Sequence, residues 1–156
     1  MSNGSRTTIN DVVAAARRRL DRVGPRHALD AVRRGAVLVD IRCDVQRRRD
    51  GLIPVAHVCP RNVLEWRVDP ASGHCDPAFG GELDRRIILV CHEGYQSSLA
   101  AATLQDLGFA RATDLAGGFQ AWRAAGLPVE RHWDARDCGR QSTEALSTTP
   151  ANRRFD

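Results

Sequence analysis

The sequence predicts an α/β domain built on a mostly parallel central sheet. Three observations predict it: two short apolar runs at residues 36–41 and 87–90, helix-forming segments on either side of each run, and a length of 156 residues, which suits one domain. Strands separated by helices return in the same direction, so such a sheet is parallel and its strands are buried on both faces.

The elements follow in chain order. Residues 10–22 read as a basic amphipathic helix, with Val12, Val13, Ala16 and Leu20 at helical spacing and Asn10 or Asp11 as its cap. A second helix is expected from Pro25, a favoured first-turn residue, to near Gly35. Residues 36–41 (AVLVDI) are β-branched and short enough for a buried strand. The Arg-rich stretch 47–50 is expected to be exposed, and residues 52–58 read as a loop feeding another short strand. Residues 69–83, rich in Pro, Gly, Ser and Asp, predict a loop.

Residues 87–90 (IILV) form the most apolar strand candidate, and it stops at Cys91. From Ser97 to Gly108 a serine near the cap, an alanine-rich body and a closing glycine predict a helix. A short segment at 112–115 and the pair Gly117-Gly118 lead to a last helix over 119–125, closed by Gly126. Trp66, Phe119 and Trp122 are read as packing residues, and residues 131–156 as a flexible polar tail.

Composition removes several kinds of chemistry. All 23 basic residues are arginine, so there is no lysine for a Schiff base, a pyridoxal anchor or a phosphate-binding loop. The net charge of +4 comes from arginines interleaved with 19 acidic residues, and a single tyrosine offers little base stacking, so no nucleic-acid partner is expected. No apolar run approaches the roughly 18 residues of a membrane span, and the polar start lacks the apolar core of a secretory signal. A cytoplasmic protein without a membrane partner is therefore expected. Five cysteines, none in a CxxC pair, fit reduced thiols better than disulfides or a metal site.

Chemistry concentrates at Cys91. A cysteine between a buried strand and a helix start gains from two sources of positive potential. The amides of a tight loop over 91–96 can curl around the sulfur, and the helix adds its dipole. Both favour the thiolate, and the same donors suit the terminal sulfur of a persulfide. Gly94 allows the turn.

The run Ile87-Ile88-Leu89-Val90-Cys91-His92-Glu93-Gly94-Tyr95-Gln96-Ser97-Ser98-Leu99-Ala100-Ala101 resembles the active-site loop and following helix of rhodanese-like sulfurtransferases. Three other segments resemble the family in its own order: residues 37–42 (VLVDIR), 51–58 (GLIPVAHV) and 114–129 (DLAGGFQAWRAAGLPV). The resemblance spans roughly residues 23–130. It implies a three-layer α/β domain whose mostly parallel sheet carries helices on both faces, preceded by a helical extension over 1–22. It also implies that Cys91 is the nucleophile, with His92, Glu93, Gly94, Tyr95, Gln96 and Ser97 as the substrate-binding loop and no cofactor or metal.

The implied reaction takes sulfane sulfur from a donor such as thiosulfate or a persulfide. Cyanide accepts it in an assay, and a thiol or a protein accepts it in the cell. Asp40 and Arg42 are read as structural, Tyr95 as a wall of the pocket mouth, and His92 as a candidate acid/base partner. Two departures stand out. Gln96 replaces an arginine common in the family, which predicts weaker use of thiosulfate, and Val55 replaces a glycine. A loop without that arginine disfavours phosphatase chemistry. A non-catalytic persulfide carrier or redox-sensing module remains the alternative.

Overall fold

The computed structural model describes residues 5–131. Four strands, β1 (Val37–Asp40), β2 (Ala56–Val58), β3 (Ile87–Val90) and β4 (Thr113–Asp114), form one sheet in the order β2-β1-β3-β4. Every pair is parallel, with Val39 opposite both His57 and Leu89, and Leu89 opposite Asp114. The helices are α1 (Ile9–Arg19), α2 (Pro25–Arg33), α3 (Asp44–Asp50), α4 (Leu64–Val68), α5 (Gln96–Asp106) and α6 (Gly118–Ala124), of which α3, α4 and α5 lie in the crossovers between strands.

Alternation along the central strands divides the core. Val37, Val39, Ile41, Ile87 and Leu89 face one side, where they pack with Leu64 and Val68 of α4 and with Ala100, Ala101 and Leu104 of α5. Leu38, Ile88 and Val90 face the other, against Ala28 and Ala31 of α2 and Phe119 and Trp122 of α6. The result is the expected three-layer sandwich. Alanines in α5 let that helix approach the sheet closely, and α1 packs on the outside of α5 through buried Val13 and Ala16. Arg19 pairs with Asp106 at 2.6 Å across the same contact.

Several local expectations are corrected. Thr8, not Asn10 or Asp11, caps α1. Its hydroxyl accepts the Asp11 amide while the Asp11 carboxylate accepts the Thr8 amide, because the helix starts one residue earlier than the apolar spacing suggests. Hydrogen bonds from Thr8 also hold the Asp11 carboxyl below its ordinary range. The helix stops at Arg19, and Val12 faces solvent.

Residues 47–50 belong to α3, and the exposure expected of them holds for Arg48 and Arg49 but not for Arg47. One helical turn directs Arg47 inward, where its guanidinium donates to the Arg42 carbonyl, while Arg48 and Arg49 point out. Residues 61–68, for which no element was expected, form a short 3-10 turn and α4. Trp66 on that helix is 56% exposed and is not a packing residue, whereas Phe119 and Trp122 are fully buried as expected.

Tyr95, not a serine, occupies the cap position of α5. Ser97 and Ser98 lie inside its first turn and are buried. Among the described residues, no helix is long and apolar enough to cross a membrane. Cys43, Cys59, Cys75 and Cys91 are free thiols; Cys138 and the expected tail beyond Arg131 lie outside the described residues.

Candidate active site

Cys91 follows the last residue of β3, at the carboxyl end of the sheet where parallel α/β folds place their sites. Cys91 is buried at 5% exposure, yet it lines an open cleft of about 330 Å³ with Gln46, His92, Glu93, Tyr95 and Gln96. Sγ accepts the amide of Gly94 at 3.1 Å and that of Ser97 at 3.4 Å, and stands 3.2 Å from Ser97 Oγ. The loop amides of His92, Glu93, Tyr95 and Gln96 make no hydrogen bond to the sulfur. The expected nest is therefore present in part around the sulfur, at its third and sixth amides.

The loop takes this form because its carbonyls are held from behind. Cys91 O accepts the Phe119 amide at 2.8 Å, and His92 O accepts the Gln120 amide at 3.1 Å, so the first turn of α6 docks on the loop through its otherwise unpaired donors. The approach depends on glycine. Gly94 has φ +86° and Gly118 φ +59°, and a Cβ on either would meet the other's backbone within about 3.1 Å. This is the physical content of the Gly117-Gly118 pair in the sequence.

Behind the sulfur lies a buried carboxylate. Asp114 of β4 accepts from Ser97 Oγ and Ser98 Oγ, each at 2.8 Å from Oδ2, and from Arg22 at 2.8 Å on Oδ1 and 3.2 Å on Oδ2. Ser97 thus connects the thiol of Cys91 to a neutralised carboxylate. Its single proton can serve either neighbour, so Ser97 accepts from a thiol and donates to a thiolate.

His92 does not address the sulfur. Gln120 accepts from Arg123 on Oε1 at 2.7 Å, which leaves its amide nitrogen to donate to His92 Nε2 at 2.7 Å. The network therefore assigns the His92 proton to Nδ1. That nitrogen lies 3.8 Å from Asp50, whose carboxyl is held below its usual range by its hydrogen bond to Arg49. The imidazole stacks on Phe119 with 6.4 Å between ring centres. It walls the cleft, and no hydrogen bond makes it an acid or base for Cys91.

Asp40 and Arg42 form a buried pair joined at 2.6 to 3.1 Å. Arg42 also donates to the Gly51 carbonyl at 2.8 Å, and its guanidinium sits 3.8 Å from the centre of the Phe119 ring. Their contacts are those of a strut between β1, the following loop and α6. Tyr95 stands at the pocket mouth, 56% exposed.

The remaining cysteine close to the core has a different character. Burial pushes the Cys59 thiol up to about 11, so it stays protonated and inert at neutral pH. A larger cleft of about 730 Å³ opens at the amino ends of the strands, where Arg34, Arg85, Arg86 and Arg111 stand among Asp21, Glu82 and Asp84. Among the described residues no cysteine lines it, whereas Cys91 lines the smaller cleft. No cluster of potential metal ligands occurs among the described residues.

The structure brings all seven loop residues together, as a contiguous turn must. Sequence reasoning assigned no role to Asp114, Arg17, Arg22, Gln46 or Gln120. Asp114 sits at the head of the quoted 114–129 segment, which was the available signal. Arg17 and Arg22 carry none, being two of 23 arginines.

Residues 25–125 match the rhodanese-like domain family. The thiosulfate sulfurtransferase GlpE of Pseudomonas fluorescens is 31% identical over 109 residues, 70% of this chain and 89% of that protein. Its counterpart in Pseudomonas putida is 35% identical over 111 residues, with the same coverage of both. Among solved structures, a Rhodopseudomonas palustris protein described as a possible tyrosine phosphatase superposes with a TM-score of 0.72. It is 34% identical, and the match covers 83% of this chain and 99% of that one.

Proposed function

This chain belongs to the rhodanese-like domain family, and on that premise we propose that it is a rhodanese-type sulfurtransferase that carries sulfane sulfur as a persulfide on Cys91. The observation that carries this reading is Cys91, whose sulfur is held at 3.1 and 3.4 Å by two backbone amides at the edge of an open cleft that the residue helps to line. The curated relatives named for thiosulfate sulfurtransfer support the donor class.

In the first half-reaction the Cys91 thiolate attacks the outer sulfur of thiosulfate. The new S–S bond forms as the bond to the sulfonate breaks, and the electron pair leaves with sulfite. Three negative charges stand on each side, and no outside oxidant is needed. The persulfide anion is then attacked at its terminal sulfur by cyanide in an assay, or by a thiol or acceptor protein in the cell, which returns the Cys91 thiolate. Donors in the 91–97 loop stabilise each anionic sulfur in turn. His92, Glu93, Tyr95 and Gln96 shape the cleft, Gly94 and Ser97 donate to sulfur, and the proposed compartment is the cytoplasm, where cysteines stay reduced.

The test is intact mass after incubation with thiosulfate. Wild type is expected to gain one sulfur atom that Cys91→Ser does not. Absence of the adduct with both thiosulfate and a persulfide donor overturns the proposal.

One observation favours a second reading, a persulfide carrier. Among the described residues the cleft lining includes Glu93 and no arginine, so a thiosulfate dianion meets neutral amides and a carboxylate. Turnover with cyanide separates the two, because a carrier loads sulfur without sustained release. Phosphate-monoester hydrolysis is disfavoured on the same ground, since the loop ends in Gln96 and presents no guanidinium to a phosphoryl group.

A further inference from the structure

The N-terminal segment reaches the active loop from behind. Arg17 of α1 donates from Nη2 to the Gly94 carbonyl at 2.8 Å and from Nε to Ser98 Oγ at 3.2 Å. Its guanidinium carbon lies 4.9 Å from the centre of the Tyr95 ring. Arg22, in the link between α1 and α2, donates to the same carbonyl at 3.0 Å while gripping Asp114. Ser98 Oγ also stands 3.2 Å from that carbonyl, but its one proton has the charged Asp114 as the stronger acceptor at 2.8 Å. Gly94 O is therefore held chiefly by two guanidinium groups.

A trans peptide sends its carbonyl and its N–H in opposite directions. Holding the Gly94 carbonyl away from the cleft turns the Tyr95 N–H the other way, while the Gly94 N–H meets the sulfur on the front. Glycine at φ +86° could otherwise let this peptide flip. A flip would aim a carbonyl dipole where a sulfur anion needs a donor.

We propose that Arg17 and Arg22 are positioning residues for the sulfur cradle, locking the loop with its amides forward. Both precede residue 25, where the family match begins. The inference rests on Cys91 as the sulfur carrier, though its test does not require sulfur transfer.

The charged and titratable groups around Cys91 come from every neighbouring element. His92, Glu93 and Tyr95 lie in the loop, and Asp114 on β4 is paired with Arg22. The Asp40–Arg42 pair lies at and just beyond the end of β1. Asp50 of α3 and Arg123 of α6 act through His92 and Gln120, and Arg17 comes from α1. Arg22 has a second effect here. It offsets the one carboxylate that Ser97 links directly to the sulfur, and so removes a like charge that would oppose the thiolate.

The experiment is alkylation of Cys91 by iodoacetamide as a function of pH, read from the mass of the Cys91 peptide. It compares wild type, Arg17→Met, Arg17→Lys and Arg22→Gln, with thermal unfolding alongside. Arg17→Met keeps an alkyl stem on α1 and removes the donors. It is expected to slow alkylation about tenfold at neutral pH, the scale of one charge-assisted hydrogen bond, and to displace the rate profile to higher pH. Arg17→Lys, which keeps one donor for the carbonyl, is expected to return within about threefold of wild type.

A profile in Arg17→Met that coincides with wild type overturns the inference, whatever the absolute rate. A Lys variant displaced as far as the Met variant overturns it too, by assigning the effect to packing. Arg22→Gln leaves Asp114 unpaired and should be slower and less stable; if it does not fold, the two Arg17 variants decide. Sulfur uptake by wild type is measured separately. Uptake with an undisplaced Arg17→Met profile leaves the sulfurtransferase reading standing and removes this one; no uptake with a displaced profile removes the sulfurtransferase reading and leaves the two arginines as positioning residues for the Cys91 thiolate alone.

Discussion

Replacing Gly118 with alanine should damage the site through the backbone alone. The added Cβ would lie 2.6 Å from the Cys91 carbonyl oxygen, 2.7 Å from the Gly94 nitrogen and 2.8 Å from the His92 carbonyl carbon. All three are main-chain atoms, so no rotamer change relieves the overlap. Ordinary contact requires the loop and α6 to part by roughly 0.6–0.8 Å. Alanine at φ +59° adds about 1–2 kcal/mol of left-handed strain. Together with the forced separation this gives a loss of about 3 kcal/mol in stability.

The same movement stretches the contact between the Gly94 amide and Sγ, now 3.1 Å, and weakens that hydrogen bond. Loss of one preorganised donor to a developing anion lowers the rate by about 100-fold, the upper limit for a weakened one. The assays are urea unfolding and the rate of persulfide formation by quenched-flow mass spectrometry. A Gly118→Ala protein within about 0.5 kcal/mol and twofold of wild type would refute the account of how α6 shapes the loop.

Two further predictions address substrate charge and pH. Gln96→Arg places a guanidinium in a cleft whose described lining has none, and should lower KM for thiosulfate about tenfold; an unchanged KM in steady-state cyanide assays counts against the charge argument. Cys59 tests burial. Its thiol is raised from 9.0 in the unfolded reference to about 11 when folded, so the folded state keeps a proton that the unfolded state has lost. That contribution is whole below pH 9 and vanishes as pH rises from 9 to 11, a loss of roughly 2–3 kcal/mol. Urea unfolding of wild type and Cys59→Ala across this window should give different pH slopes, and parallel slopes would sink the idea.

The legible parts of this protein share one property: their determinants are local. The runs Val37–Asp40 and Ile87–Val90 are buried at every position, so a short apolar stretch, closed by Asp40 in the first, identifies them without knowledge of their neighbours. Cys91 and the five residues after it form one turn between a strand and a helix, and a contiguous nest keeps its members together in any fold that preserves that turn. Where an exposed face and a buried face alternate on a short helix, sequence reasoning failed. Arg47 and Trp66 differ from their neighbours only in which way a helical turn of α3 or α4 directs them, and burial followed direction rather than residue type.

The sequence by itself determined the layered α/β architecture and the place of the Cys91 thiol at the end of a strand, because strand burial and the strand–loop–helix transition are written in adjacent residues. Only the tertiary structure decided what holds that thiol's loop in shape. Arg17 and Arg22 reach Gly94 across 77 and 72 residues, and Ser97 reaches Asp114 across 17. Nothing in an arginine-rich chain distinguishes those two guanidinium groups from the rest until α1 packs against α5. That packing brings them to the one carbonyl whose orientation sets the amides of the cradle.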